Sequence, residues 1–535
     1  MKKLARLFGL SHPRLQRILE TLDRPATARF LAIALAVVWF ASFAAAVCRR
    51  EYRSFDGVCN HDLGAVLRVD EVIAQGFRPG IDFFYYYGLL PLAVCHAFFG
   101  VVGRSPISLI LLMFVLSSLL YVGVAWVMMA FHPTRLGALL LAIAAGHVTN
   151  HLAPTHAMEA AVLVGAIGLR LRGHSLGAIA LATIGLFTKM SMATVLLGGF
   201  AGLIVLDALR TRRIQPLSAL LAFPVVFGVG AGLSIAWLGA PAFAGGFDAR
   251  AGAAIYRAWN LGFLREGRGF WHPAGHNLNW YLGSIAGPWC LGSLVLLFLA
   301  IRGVVRLLRA TIHREAHNGT LMSEELYALA GFGNLAFVVG FYGPSLYVLN
   351  YAWLLLIGFA PIIGPARLGV GDQADDSLLQ AVRRLGWLPL GVFLLLSQVN
   401  TLKAVLASAR TPRVTVGQVT MPLSQADELA ATLALGHSVG GGVVTAIGHT
   451  ANFGLVDPTI RQGHYWMLVH GMPKTKALEE TLELAKSSDV VLVTKPDYPT
   501  LRLISEFKPL LENSERLHDG KHFLLLRSPK REQEL

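Results

Sequence analysis

FDGVCNHDLGAVLRVDEVIAQGFRPGIDFFYYYGLLP, residues 55–91, is polar, acidic and aromatic in a chain whose remainder is dominated by apolar runs. One such run, Phe30 to Val47, precedes it, and further apolar helices follow. Its carboxylates therefore belong at a membrane surface and not in a soluble cleft, and the chain's chemistry is expected to start there.

Composition supports that setting. Of 535 residues, 54% are apolar and only 15% charged, and the mean hydropathy is +0.56, far outside the soluble norm. The formal charge of +14 comes from small Lys and Arg groups between apolar runs, which marks cytoplasmic loops and not a nucleic-acid surface. The four cysteines, Cys48, Cys59, Cys95 and Cys290, lack metal-ligand spacing. They read as small apolar side chains, with a Cys48–Cys59 pair on the outer side as the alternative.

The segment Met1 to Arg29 is basic, and its spacing suits an amphipathic cytoplasmic helix on the inner leaflet. The apolar run behind it ends ASFAAAVC and is about 18 residues long, which suits a retained first helix better than a cleaved signal. That helix, about 30–48, delivers residues 49–104 to the outer face as the first large loop. Within the loop, LLPLAVCHAFFGVV (89–102) is shorter than the ~20 residues a crossing needs and reads as a juxtamembrane helix.

Further spans are expected over about 106–129, 136–148, 160–169, 176–187, 192–206, 216–238, 281–301, 326–341, 345–363 and 385–407, about eleven in all. The basic groups near Arg135, Arg170, RTRR (210–213), RGVVRLLRATIHREAH (302–317) and residues 364–384 then share one side, as the positive-inside rule requires. HVTNHLAPTHAME (147–159) becomes a second outer loop containing Glu159, and Gly239 to Trp280 a long outer loop rich in aromatics and arginine. Beyond about 410, GGGVVTAIGH and DVVLVTKP read as buried strands and KTKALEETLELAKSS as an amphipathic helix. The expectation is an α-helical polytopic membrane protein with a cytoplasmic segment 1–29, a transmembrane domain 30–409 and a small extracytoplasmic α/β domain 410–535. No fixed-period repeat is present.

Asp56, Asp62, Asp70, Glu71 and Asp82 all fall in the first loop. A carboxylate beside Asn60 and His61 at a partly desolvated surface can take a proton from a hydroxyl; each acid can equally solvate the loop or cap a helix. Arg257, Arg265 and Arg268 can hold phosphate through paired N–H donors or rest on lipid headgroups. Lys189, at a helix end, can do the first or snorkel to the interface. His272 and His276, like His147 and His151, stand at i, i+4, a weak two-imidazole pattern for a divalent metal. Pro273 and Gly275 interrupt the first pair. The run Phe83 to Tyr87 reads as an interfacial aromatic belt.

The arrangement Asp62-Leu-Gly, then Ile73, Gly76, Pro79, Asp82-Phe83 and Tyr87-Gly88, followed by an apolar Pro-Leu segment, resembles the first-loop signature of GT-C fold glycosyltransferases. These polytopic enzymes include the protein O-mannosyltransferases and the lipid A aminoarabinose transferases. The resemblance implies that Asp62, 14 residues before Gly76, is the catalytic or acceptor-binding carboxylate, with Asp56 next in line. It implies a second acid, supplied by Glu159, and a GLxTK-like element, matched by Gly185, Leu186, Thr188 and Lys189. His61, Asp82 and Tyr87 would support the loop. Leu89 stands where the pattern carries a proline, and PSLYVLNYAWLL (344–355) lacks the basic residue expected near the donor phosphate.

The resemblance leads to the expectation of an inverting transferase that moves a sugar from a polyprenyl-phosphate donor to an acceptor hydroxyl on a lipid, glycan or protein. It would work on the periplasmic face of a bacterial inner membrane, in cell-envelope polysaccharide or glycolipid modification. Lys189, Arg257, Arg265 and Arg268 would bind the donor phosphate, membrane lipids would surround the spans, and nucleic acid would have no part. Two rivals stand beside it: a transporter or flippase for lipid-linked saccharides, whose binding residues lie at mid-membrane, and a non-catalytic component of a polysaccharide machine.

Overall fold

The computed structural model describes Phe55 and residues 62–83, 85, 87–131, 153–247, 286–316, 319–341, 348–363, 406–407, 410–439, 442–448, 452–463, 476–495, 497–502 and 505–528. Several expectations lie outside the described residues: the segment 1–29, the spans 30–48, 136–148 and nearly all of 385–407, and the residues Asp56, His61, Arg257, Arg265, Arg268, His272 and His276.

The first loop opens with helix α1, Asp62–Ala74, and continues through a glycine-bearing turn to α2, Leu89–Val102. Helix α3, Pro106–Met128, starts where Ser105 Oγ accepts from the Ser108 amide at 3.1 Å and proline occupies the first turn, a start that leaves few orphan donors. Its 23 residues extend about 34 Å, enough to cross a bilayer core. Ile107, Leu111, Leu119 and Val122 are exposed along one side, a stripe that suits lipid and would be unstable in water.

Helices α4, Pro154–Leu171, α5, Ser175–Leu186, and α6, Met190–Thr211, form an up-and-down run, α4 packing between α3 and α5. Arg212, with φ of 52°, ends α6 in the left-handed region. A 3-10 turn leads into α7, Ala222–Leu238, and the short α8, Ala240–Gly246. Helix α9, Ala286–His313, packs on α10, Gly319–Phe341, and α11, Val348–Gly358, closes on both.

Among the described residues four helices are long and apolar enough to cross a membrane: Pro106–Met128, Met190–Thr211, Gln215–Leu238 and Leu291–His313. The last corrects the boundary expected at Ile301. Leu291, Leu294, Phe298, Ile301, Val305, Leu308 and Ile312 form one exposed apolar stripe, so the helix runs on through the basic segment. Two of its arginines have acidic partners there: Arg302 meets Glu324 at 2.7 Å and Arg306 meets Glu315 at 2.8 Å.

Charged side chains also tie the bundle together at the far end of α4. Arg170, buried, donates to Glu325 Oε2 at 3.0 Å and Oε1 at 2.8 Å, to Asp207 Oδ2 at 2.6 Å and to Ser175 Oγ at 2.8 Å. One guanidinium thus joins α4, α5, α6 and α10.

The C-terminal unit begins with a hairpin, β1, Arg413–Val416, and β2, Val419–Pro422, followed by helix α12, Leu423–Ser438. Gly417, with φ of 57°, makes the hairpin turn. A mixed five-stranded sheet comes next, built from β3, Val444–Ile447, β4, Arg461–Gln462, β5, Val490–Thr494, β6, Glu515–Asp519, and β7, Phe523–Arg527, in the order β4-β3-β5-β7-β6. β3 is parallel to β4 and β5, while β7 is antiparallel to β5 and β6. Helix α13, Lys476–Lys486, precedes β5 and packs on β3. β3 and β5 are buried on both faces, which is why their sequences run apolar without alternation.

Candidate functional site

The site grows from the short link between α5 and α6. Thr188 Oγ1 donates to Gly185 O at 2.6 Å, and the Lys189 amide reaches the same carbonyl at 3.0 Å. The chain is then extended at Lys189, which caps α6. Onto this link folds the end of the first loop: the Gly88 amide donates to Thr188 O and the Leu90 amide to Phe187 O, both at 2.8 Å. A Cβ at position 88 would stand 2.0 Å from Phe187 O, so only glycine permits the approach. The Tyr87-Gly88 pair and the GLxTK-like element, separate in sequence, meet here.

Beneath the junction the Lys189 side chain is buried and its Nζ donates to Tyr351 Oη at 2.8 Å. The ammonium lies 5.3 Å from the Tyr351 ring centroid and 5.7 Å from that of Tyr87, within cation–π range. Tyr351 Oη donates onward to Glu159 Oε2 at 3.4 Å. His156 Nδ1 stands 3.8 Å from the same oxygen, and its Nε2 is 3.4 Å from Tyr87 Oη. A chain of polar groups results, Tyr87–His156–Glu159–Tyr351–Lys189, in which Glu159 is 1% exposed and Lys189 6%.

Ionisable groups at that burial inside an apolar bundle are costly and are retained where they work. Glu159 Oε1 makes no hydrogen bond among the described residues, so the carboxylate has an acceptor position to spare. Glu159 lies 11 residues from Arg170 along α4, about 17 Å. The polar chain and the Arg170 cluster are therefore at different depths, and the polar chain is the one beside the first loop.

Comparison with solved structures finds two similar chains. One is the crystal structure of ArnT from Cupriavidus metallidurans bound to undecaprenyl phosphate, 13% identical over 94% of this chain and 98% of that one, with a TM-score of 0.44. The other is the same enzyme in the apo state, 12% identical over 92% and 98%, with a TM-score of 0.41. No family model matches the chain, and no curated protein matches it.

Of the residues singled out from the sequence, Tyr87, Glu159 and Lys189 come together. Asp62 is the first residue of α1, on the loop that ends at the junction. Asp82 lies elsewhere. Its Oδ2 accepts from the Arg78 amide at 2.8 Å and closes a turn, while its carbonyl accepts from the Ala477 amide of the C-terminal unit at 2.9 Å. Asp70 is engaged by His96 at 2.8 Å and Arg104 at 2.7 Å, so it braces the loop.

Glu159, expected on an outer loop, is instead inside α4, because Pro154 in the first turn starts the helix before it. His156 and Tyr351 are additions that the sequence reading misses. The signal for His156 is its i, i+3 spacing from Glu159, which puts both on one helix face. Tyr351 lies in the segment that lacks the expected basic residue, and it receives the Lys189 ammonium from another helix. Among the described residues no group of three His, Cys, Asp or Glu is disposed to hold a metal.

Proposed function

We propose that the chain is an integral membrane glycosyltransferase of the GT-C type, using a polyprenyl-phosphate sugar and working on the outer face of a bacterial inner membrane. About eleven spans would carry an extracytoplasmic C-terminal domain, 410–535. The observation that carries the reading is the buried Lys189 ammonium, hydrogen-bonded to Tyr351 Oη at 2.8 Å, directly under the first loop. A lipid-borne phosphate needs a cation at the depth where its apolar tail lies among helices, and a buried ammonium supports that use.

In the reaction, the acceptor hydroxyl attacks the anomeric carbon from the face opposite the phosphate. Its proton passes to the Asp62 carboxylate, the bond from the anomeric carbon to phosphate oxygen breaks, and polyprenyl phosphate leaves with the electron pair. The configuration inverts. Lys189 stabilises the charge that grows on the departing phosphate, with Arg257, Arg265 and Arg268 assigned to the same task. Glu159 orients Tyr351 and balances the ammonium through it. Asp56 is the reserve base.

A second reading has one observation in its favour. The side chains of Glu159 and Lys189 are buried among the helices, where a transporter or flippase of lipid-linked saccharide keeps its groups. Purified protein in proteoliposomes, given labelled polyprenyl-phosphate sugar and a panel of lipid, glycan and protein acceptors, separates the two. Glycosyl transfer with an inverted anomeric linkage is expected. Movement of the labelled lipid between leaflets with no product on any acceptor would move the assignment to transport.

A further inference from the structure

The C-terminal unit contacts Phe55 and several points between Gly64 and Asp82. Phe55, 1% exposed, meets Phe453 and Phe523 edge-on, with ring centroids 5.4 and 5.6 Å away. Asn452 Nδ2 donates to Gly64 O at 2.8 Å. Arg68, buried, donates through Nη2 to Gly463 O at 2.7 Å, while its Nη1 reaches Glu71 Oε2 at 2.6 Å. Farther along, the Lys476 ammonium lies 4.8 Å from the Phe77 ring centroid, and the Ala477 amide donates to Asp82 O.

The placement of these contacts is informative. Asp56 directly follows Phe55, and Asp62 stands two residues before Gly64. Both candidate carboxylates are thus bounded along the chain by anchors that belong to the C-terminal unit. The other end of the loop, at Gly88 and Leu90, is bonded to the link that presents Lys189. The loop is therefore a strap between the C-terminal unit and the buried cation.

We infer that the C-terminal α/β unit is a positioning element for the first loop, with Asn452 and Arg68 holding α1 and the rings of Phe453 and Phe523 holding Phe55. Asn452 and Arg68 act through Asp62 as positioning residues. The catalytic consequence rests on the glycosyl-transfer reading; the grip itself does not. Without Asn452, α1 loses the tie nearest its first turn, and the loss falls on the segment that carries Asp62.

The test uses the full chain in nanodiscs and compares Asn452→Ala with wild type by amide hydrogen exchange. Peptides covering 56–68 should exchange about tenfold faster, while those over 190–211 and 490–494 keep their rates. In sugar transfer, kcat should fall about tenfold or more with the donor KM unchanged, because the donor-binding groups are not displaced. Phe453→Leu removes the aromatic edges with little change of volume and should raise exchange in the same peptides, which keeps the test open where Asn452→Ala fails to accumulate. Unchanged exchange over 56–68, or acceleration spread evenly across the C-terminal unit, overturns the inference. Faster local exchange in a protein whose wild type transfers no sugar leaves the grip standing and sinks the glycosyl-transfer reading instead.

Discussion

At the scale of single residues, Gly88 shows how a position gains its meaning from distance. Its φ is −67°, so any residue could adopt its backbone; the constraint is the Phe187 carbonyl 2.0 Å from where a Cβ would stand. Gly88→Ala must push the first loop off the α5–α6 link and break the amide bond to Thr188. A loss of about 1–3 kcal/mol is expected from overpacking alone, read as a lowered Tm, together with a raised donor KM because Lys189 shifts with the link. A neutral Gly88→Ala would mean that the junction does not set the site. Tyr87, Glu159 and Lys189 are legible in the sequence, since a charge or a polar aromatic at the edge of an apolar run stands out. Tyr351 is not. A tyrosine inside an apolar run reads as one more span residue until the fold brings it to Lys189.

Elements are legible where one face or one composition governs them, and misread where a charge depends on a partner far away in sequence. α3 and the buried strands β3 and β5 follow directly from their apolar runs. The arginines of α9 suggest a loop because Glu324, the partner of Arg302, is invisible as one until α9 and α10 pack. The same holds for Arg170, whose charge marks a cytoplasmic turn in the sequence, whereas its side chain holds Glu325 and Asp207 on two other helices. Glu325 is 2% exposed, so Arg170→Ala strands a buried carboxylate, at a cost of about 3–5 kcal/mol. Thermal unfolding in detergent should show the loss for Arg170→Ala and a smaller one for the double variant Arg170→Met, Glu325→Leu, which removes both charges. Equal losses would mean that the cluster contributes through packing and not through charge.

At the scale of the whole molecule, the first loop joins the helix bundle to the C-terminal unit, so the stability of that unit matters to the site. Burial by itself raises the Glu428 carboxyl, but the amides of His522 and Phe523 outweigh it, with help from the His522 and His518 rings, and the net direction is down. In Asp457 the Thr459 hydroxyl leads the same downward shift. A carboxyl depressed in the folded state stabilises it above the unfolded value, near pH 4, and loses that contribution as pH falls through the folded value. Acid titration of the purified protein should therefore loosen the C-terminal sheet below about pH 4, and Glu428→Gln should flatten that dependence. An unchanged slope in Glu428→Gln would assign the acid sensitivity to other groups.

Asp62 and Lys189 are proposed to serve one glycosyl transfer, as base and as phosphate ligand. Its most direct measurement is single-turnover transfer of labelled sugar from polyprenyl-phosphate donors by wild type, Asp62→Asn and Lys189→Met, each matched for folding by thermal stability. Wild type should transfer. Asp62→Asn should lose about 10²-fold or more in the chemical step while still binding donor, and Lys189→Met should lose donor binding as well as rate. Full transfer by both variants would mean that neither the first-loop carboxylate nor the buried cation touches the chemistry.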